Sequence, residues 1–442
     1  MLLTNLKIYD VIGVGIGPFN LGFAALSSSK DMDSLFFDKA PEFDWHRGLM
    51  LRGCTLQVPF LADLVTPVEP TNKFSYINYL VAKKKLFKFC IKESFYITRK
   101  NYNDYCRWVV AQLSNLRFSH QVETIEYNEE HGFYEVSVHD LIERNSKTYF
   151  TKRLVIGTGT IPNVPRFSEI CTHERVFHSS QYTYRERYIE PGSTITVVGS
   201  GQSAAEIFQD LLNKADENSY QLNWITQEDR FFPMEDSKFT FEFTSPDYLN
   251  FFHSLPEDKR YEIIAQQDAL YKGINNELIG SIHDQLAEIE EYKGQCPNVH
   301  ILSSTRLTGL EGSKKEGFEL TCHHLVEDED FTFYSDFVIM ATGYKYQEPK
   351  FLQTINSRFQ RDSRGNLKVD KNFSIDKKGN EVYVLNSELA SHGILTADLG
   401  MGPYRNATII NHILGEKHFD LEIRIAFQDF SIPEEFKNRT NK

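Results

Sequence analysis

The stretch Tyr9-Asp-Val-Ile-Gly-Val-Gly-Ile-Gly-Pro-Phe-Asn-Leu-Gly-Phe-Ala-Ala-Leu26 begins as a β-branched run, turns on Gly13, Gly15 and Gly17, and continues apolar at helical spacing. It predicts a strand, a tight turn and a helix in immediate succession. Glycine allows the sharp turn and a close approach to a ligand, and the free N–H groups of the helix start favour an anion such as a pyrophosphate. On this reading a side chain at the turn would occupy the phosphate's place. A second strand, Leu35-Phe-Phe-Asp38, ends in an acid at about the 20-residue spacing where a dinucleotide's ribose hydroxyl is held. Strand, turn, helix and acid together read as a Rossmann unit.

The one internal repetition comes roughly 190 residues later, as Ser193-Thr-Ile-Thr-Val-Val-Gly-Ser-Gly-Gln-Ser-Ala-Ala-Glu-Ile-Phe208. Gly199, Ser200, Gly201, Gln202 and Ser203 form its turn and read as a nicotinamide cofactor site. The next strand, Leu222-Asn-Trp-Ile-Thr226, finishes without an acid, and Gln227, Glu228 and Arg230 follow. Arg230 suits a 2′-phosphate and Glu228 a free 2′-hydroxyl, with NADPH read ahead of NADH.

Two further strands share an ending: Arg153-Leu-Val-Ile-Gly-Thr158-Gly159 and Asp336-Phe-Val-Ile-Met-Ala-Thr342-Gly343-Tyr344. Nested dinucleotide folds are punctuated in this way. The predicted class is α/β, with two Rossmann-like dinucleotide-binding domains and a small helical substrate subdomain. Residues 1–160 and 335–430 are assigned to an FAD domain, and 161–234 and 296–334 to an NADPH domain. Residues 235–295, with Pro246, Pro256 and an acidic helical run from Glu257 to Tyr292, read as a helical substrate lid. The loop 358–379 and the tail after Glu416 read as peripheral.

Composition narrows the function. The chain has 442 residues, with 48 Lys and Arg against 61 Asp and Glu, a net charge of −13. The basic residues are scattered, which argues against nucleic acid and against stable membrane association. The apolar N-terminal run is interrupted by Asp10, Pro18 and Asn20, and no small-residue cleavage site follows it. Cys54, Cys90, Cys106, Cys171, Cys296 and Cys322 form no CxxC pair, as expected of reduced thiols in the cytoplasm. A disulfide reductase needs such a pair beside its flavin. What remains is oxygen chemistry or a simple reductase. His323 and His324 lack a carboxylate or Cys at ligand spacing, so no metal is expected.

The residues resemble the N-hydroxylating flavin monooxygenases of siderophore biosynthesis, the lysine and ornithine N-monooxygenases. The matching stretches, in order over about nine tenths of the chain, are Gly13 to Leu21, Phe43-Asp-Trp-His46, Leu56-Gln-Val-Pro-Phe-Leu-Ala-Asp-Leu64, Asp104-Tyr-Cys-Arg-Trp108, Gly157 to Pro162, Val198 to Ala204, Ala341-Thr-Gly-Tyr344, and Asn386 with Ser391-His-Gly393. The resemblance implies that NADPH reduces FAD, O2 forms a C4a-hydroperoxyflavin, and a neutral primary amine takes its distal oxygen to become a hydroxylamine. It implies FAD contacts at Gly13, Gly15, Gly17, Pro18, Asn20, Asp38, Lys39, Trp45, His46 and Gln57, the last near the isoalloxazine. It also implies cofactor contacts at Thr158, Gly159, Thr342, Gly343, Asn386 and Gly393. Arg99 matches a family arginine near flavin and nicotinamide, and Gln57 and Arg99 are the candidate catalytic residues. A homo-oligomer is implied as well.

The departures bear on substrate. Family members acting on amino acids carry a lysine for the α-carboxylate where this chain has Ala62, and a polar lid residue where it has Phe241; Gln227 stands where an arginine is common. A buried carboxylate without a cation is costly, so the expected substrate is a decarboxylated amine. Histamine is preferred, stacking its ring on Phe241, ahead of putrescine or cadaverine and of lysine or ornithine; an uncoupled NADPH oxidase is a further alternative. Tyr271 and Asp398 complete the expected substrate set. For a diamine, Asp63, Glu242 or Asp398 would receive the distal ammonium.

Overall fold

The computed structural model describes residues 6–165, 174–294, 298–313 and 317–437. Val11–Val14 is buried at every position, as the central strand of a sheet covered on both faces must be. Its parallel sheet runs in the order Val382–Val384, Leu154–Ile156, Val11–Val14, Ser34–Phe37, Leu116–Arg117. A second parallel sheet runs Val176–His178, Phe337–Met340, Thr194–Val198, Gln221–Ile225, Val299–Leu302. The mixed α/β class with two Rossmann-type units is therefore present.

The internal repeat is deeper than the glycine motifs. In each unit a three-stranded antiparallel meander precedes the strand that returns to the sheet. The first consists of His120–Asn128, Phe133–Asp140 and Asn145–Thr151, and the second of Thr305–Ser313, Gly317–His324 and Glu329–Ser335.

Three assignments move. Phe337–Met340 is hydrogen-bonded between Val176–His178 and Thr194–Val198, so the second unit extends past residue 335 and the chain returns to the first only after this strand. The segment 235–295 is not one lid. Helices Pro246–Ser254 and Glu257–Gln266 pack on the first unit's core through Tyr248, Leu249 and Phe252, whereas helix Asn276–Lys293 lays Ile282, Ile279 and Ile289 on the second. The division follows the apolar face each helix has to bury. Finally, the loop 358–379 is not peripheral, since Leu367, Val369, Phe373 and Ile375 are buried in the first core.

The two chain crossings between units lie side by side. Ile161–Pro162 pairs antiparallel with Tyr344–Lys345, the Asn163 amide donates to Gly343 O at 2.9 Å, and Thr342 Oγ1 donates to Asn163 O at 2.6 Å. No helix among the described residues is long and apolar enough to cross a membrane.

Candidate active site

At the first turn the three glycines have three different reasons. A Cβ on Gly13 would lie 2.1 Å from the Phe36 ring, and one on Gly15, at φ +89°, would lie 2.4 Å from the Gly157 carbonyl oxygen. Gly15 thus makes room for protein backbone and not for a phosphate, contrary to the sequence expectation. Gly17 alone faces open space, at the start of helix Pro18–Ser27, where no side chain caps the free N–H groups. That bare helix start leaves its N–H groups open to an anion. Asp38 is in place at the end of its strand: Oδ2 accepts from the Ile16 amide at 2.6 Å and Oδ1 from the Ala40 amide at 2.8 Å. Asn20, expected to contact the cofactor, is an internal brace instead. It is 1 % exposed, and its Nδ2 faces the carbonyls of Val14, Gly15 and Val155 at 3.1, 2.7 and 3.4 Å. Pro18 is buried at the first helical position, and Lys39 points to solvent.

The same strand edge carries the other expected contacts. Gly159 (φ +72°) and Thr158 follow Gly157, and Asn386 (φ +67°) follows Leu385, whose amide donates to Ile156 O at 2.9 Å. Gly393 is buried at φ +70° against Phe252. Trp45 takes the Asn103 carboxamide oxygen on its backbone amide at 3.0 Å and packs edge-on against His46, 4.4 Å between ring centres. Burial, with the Arg99 charge second, lowers the His46 pKa to about 4, so the imidazole is neutral at physiological pH.

The second turn copies the first. A Cβ on Gly199 (φ +136°) would lie 2.3 Å from the Ala341 carbonyl oxygen, while Gly201 opens the helix Gln202–Asn218 with no side-chain cap and meets only Lys272 O, at 3.4 Å. Ser200 and Ser203 flank it, half-buried. Both cradles fit the pyrophosphate of a dinucleotide. Arg230 is not aimed at this turn: its guanidinium pairs with the adjacent Asp229 at 2.8 Å, both side chains about two-thirds exposed or more, at 67 and 72 %. Thr342 and Gly343 are drawn into the crossing between the units.

Gln57, Arg99 and Gln202 are brought together by a residue that sequence reasoning passed over. Glu206, 5 % exposed, takes Arg99 in a two-pronged pair, Nη1 to Oε2 and Nη2 to Oε1, both at 2.7 Å. Gln202 Nε2 donates to Glu206 Oε1 at 2.8 Å, and Gln57 Nε2 donates to Gln202 Oε1 at 3.3 Å. Arg99 Nη1 also reaches Leu49 O at 3.1 Å. The network joins Gln57 and Arg99 of the first unit to the first turn of the second unit's nucleotide helix. Its sequence signal was an acid one turn after Gln202, inside the apolar run Ala204 to Phe208 that is buried at every position; such an acid is almost never buried unpaired. Beside it, burial, followed by the Glu206 charge, pushes the Cys54 thiol up to about 12.

The expected substrate residues separate. Ala62 is buried at 6 %, and a Cβ on Gly400 would lie 3.6 Å from the Ala62 methyl and 3.1 Å from Asp398 Oδ1, so the two side chains flank one spot. Asp398 is half-buried and accepts from the Gly400 amide at 2.6 Å; burial raises its pKa, and the Gly400 amide and the Arg405 charge, which reaches it without a salt bridge among the described residues, act against that rise. Asp63 is committed elsewhere, to Val65, Thr66 and Tyr76, and Glu242 to Phe427 and Gln428. Phe241 is 45 % exposed on the four-residue helix Lys238–Phe241 and offers no enclosed ring face. Tyr271 adjoins Lys272, on the wall of the second glycine turn.

A model of the family L-lysine 6-monooxygenase/L-ornithine 5-monooxygenase matches residues 7–346. The chain is 44 % identical over 426 residues to a putrescine N-hydroxylase of Shewanella oneidensis, covering 96 % of this chain and 84 % of that protein. It is 41 % identical over 430 residues to a putrescine N-hydroxylase of Acinetobacter baumannii, covering 97 and 95 %. The crystal structure of the FAD-bound cadaverine monooxygenase of desferrioxamine biosynthesis from Erwinia amylovora matches with a TM-score of 0.93 at 42 % identity, covering 97 % of this chain and 99 % of that one.

Proposed function

The chain belongs to the L-lysine 6-monooxygenase/L-ornithine 5-monooxygenase family, and from that premise we propose that it N-hydroxylates a short linear diamine of the putrescine or cadaverine kind for siderophore biosynthesis. It is a flavin-dependent N-monooxygenase. FAD is the resident cofactor and NADPH the reductant. Overall, R–NH2, O2, NADPH and H+ give R–NHOH, NADP+ and water. The flavin supplies the activated oxygen when bound.

The protein's own part is to hold and to sort charge. Gly17 and Asp38 hold the flavin dinucleotide, and Gly201 with the bare start of its helix holds the nicotinamide one. Gln57 and Arg99, tied to Gln202 and Glu206, set one unit against the other. The attacking nitrogen has to be neutral, which costs an amine of pKa about 10.4 roughly 4 kcal/mol at pH 7.4. The other nitrogen stays an ammonium and needs an anion. His46, neutral above about pH 4, adds no cation beside Arg99.

The carrying observation is the pair Ala62 and Asp398: a methyl where a carboxylate-binding lysine would stand, and beside it a carboxylate that forms no salt bridge among the described residues, though the Arg405 charge reaches it. This supports a substrate with a distal ammonium and no carboxylate. Histamine, preferred from sequence, gives way to the diamines. Exposed Phe241 lends its ring little, and relatives 41 to 44 % identical are named for putrescine or cadaverine, whereas those named for lysine and ornithine are 33 and 29 % identical.

The test compares hydroxylamine formed per NADPH with putrescine, cadaverine, lysine, ornithine and histamine. Coupled turnover of diamines is expected, and Asp398→Asn should raise their KM about 10- to 100-fold, the loss of one charge-assisted contact. Because burial raises the Asp398 pKa, its charged form is lost as pH falls through that value, so the diamine KM should climb on acidification in the parent and stay flatter in Asp398→Asn. Coupled turnover of lysine or ornithine without diamines, or an unchanged KM in Asp398→Asn, would overturn the reading.

A further inference from the structure

Next to Asp398 lies a buried ion pair that the chemistry above does not use. Arg405, on the first turn of helix Gly402–Leu414, and Glu388, two residues after Asn386, have side chains 2 and 0 % exposed, and Arg405 Nη1 lies 2.9 Å from Glu388 Oε1. The other carboxylate oxygen, Oε2, accepts from the Ser387 amide at 2.7 Å. Arg405 Nη2 donates to the carbonyls of Leu395 and Thr396 at 3.0 and 2.9 Å, and the Leu395 carbonyl also takes the Asp398 amide at 3.1 Å. Arg405 therefore holds the turn that presents Asp398. Its guanidinium carbon is 4.6 Å from the centre of the Phe19 ring, which ties it to helix Pro18–Ser27 of the first cradle.

A pair this deep stabilises little by itself, since desolvation offsets the attraction. Burial lowers the Arg405 pKa, and the Glu388 charge, then the Asp398 charge, act against that fall. Burial raises the Glu388 pKa, and the Arg405 charge is the first influence opposing it. The guanidinium thus feels two carboxylates and is taken up by one of them. The neighbouring basic groups add no further partner. His392, stacked on Phe373 with 4.5 Å between ring centres, is kept neutral by burial, and Arg260 Nη1 donates to the carbonyls of His253 and Leu255. When all three are ionised, Arg405, Glu388 and Asp398 together carry a single negative charge, which one ammonium would cancel.

We infer that Glu388 is a specificity-determining positioning residue for the diamine, because it cancels Arg405 and so leaves the Asp398 charge to the substrate's distal ammonium. The inference rests on the proposed diamine function. Arg405 is needed where it is for its donors, which fix the carbonyls of the Asp398 turn, but the same guanidinium brings a positive charge into a site meant for a cation. In a buried setting such a charge is poorly screened. Glu388 keeps the donors in place and removes their field. Without it the remaining carboxylate acting on Arg405 is Asp398, and an incoming ammonium would meet a pair already neutral.

The test compares kcat/KM for putrescine with that for n-butylamine, the same carbon chain without the distal ammonium, using the FAD-loaded full chain. The parent is expected to prefer putrescine. Glu388→Gln should lower that preference about tenfold, through the putrescine KM, because the site becomes too positive by one charge. Glu388→Gln/Arg405→Gln removes both charges and should recover most of the preference, which a purely structural role for Glu388 would not give. In the Asp398→Asn background, Glu388→Gln should change the preference no further. Partial unfolding or flavin loss slows both amines alike and does not move the ratio. Should Glu388→Gln alone yield no flavin-loaded protein, the double variant decides, since loss of the preference there overturns the inference. An unchanged preference in Glu388→Gln, or a double variant no better than the single one, also overturns it, and the diamine reading survives if Asp398→Asn still abolishes the preference. A parent without the preference, or one that keeps it in Asp398→Asn, overturns the diamine reading and this inference with it.

Discussion

The two glycine turns share one skeleton and differ in how firmly they are set. Gly15 and Gly199 each press against the carbonyl that ends the returning strand, at 2.4 and 2.3 Å from a would-be Cβ, and each donates its amide to the second strand, Phe37 O and Ile225 O, both at 2.8 Å. The first turn is then locked by the Asp38 carboxylate on the Ile16 amide and by Asn20 beneath it, and its helix is buried nearly throughout. The second has no such acid. Its strand runs out into Glu228, Asp229 and Arg230, and its 17-residue helix keeps one face in solvent. On the proposed function the first cradle retains its nucleotide and the second exchanges it, as a resident flavin and a spent reductant require.

The largest test of that contrast replaces the matched glycines. Gly15→Val and Gly199→Val bring the same clash with a carbonyl and the same left-handed strain, about 1–2 kcal/mol from the backbone alone. Purification of Gly15→Val should yield colourless or insoluble protein, whereas Gly199→Val should stay yellow and fail to be reduced by NADPH. Gly17→Ala, entering open space, should fold normally and bind FAD on the order of tenfold more weakly. Equal loss of flavin from both valine variants would erase the distinction.

A middle-sized effect is expected where the units meet. Arg99→Ala strands Glu206, whose side chain is 3 % exposed, and should cost about 3–5 kcal/mol of stability. Arg99→Gln combined with Glu206→Gln should recover much of this while flavin reduction stays slow. Thermal unfolding followed by flavin fluorescence, with stopped-flow reduction, reads both. If the double variant unfolds no later than Arg99→Ala, the pair does not account for the loss.

The smallest effect should come from Arg230→Ala. An exposed pair such as Arg230 with Asp229 is worth about 0–1 kcal/mol, so the NADPH KM should rise less than about fivefold. A larger rise with NADH unaffected would give Arg230 the 2′-phosphate and make the second cradle more specific than its surroundings suggest.

What could be read from sequence was local. The glycine turns, Asp38 and the Thr-Gly strand ends lie within short windows whose spacing is set by the backbone. What could not be read was pairing over distance. Glu206 meets Arg99 across 107 positions, and nothing near either residue names the other. Phe337–Met340 reads as a buried strand in any sheet, so only its neighbours assign it to the second unit. Asn20 carries the identity of a ligand contact and the geometry of a brace. Asp63, Glu242 and Asp398 were equivalent as acids until their hydrogen bonds were seen: Asp63 and Glu242 are held by several partners each, and Asp398 by the backbone of the turn at Gly400.

The pairing of Ile161–Pro162 with Tyr344–Lys345 bears on how such a chain becomes ordered at all. Residues paired across antiparallel strands sit about 5 Å apart, so the excursion 163–343 begins and ends at one gap in the first unit. It crosses back once in between, where helices Pro246–Ser254 and Glu257–Gln266 lay Tyr248, Leu249 and Phe252 into the first core. The entropy of closing a loop grows only with the logarithm of its length, so an excursion this long costs the host far less than in proportion to its residues. The middle of the insert is core that the host lacks until the excursion has folded.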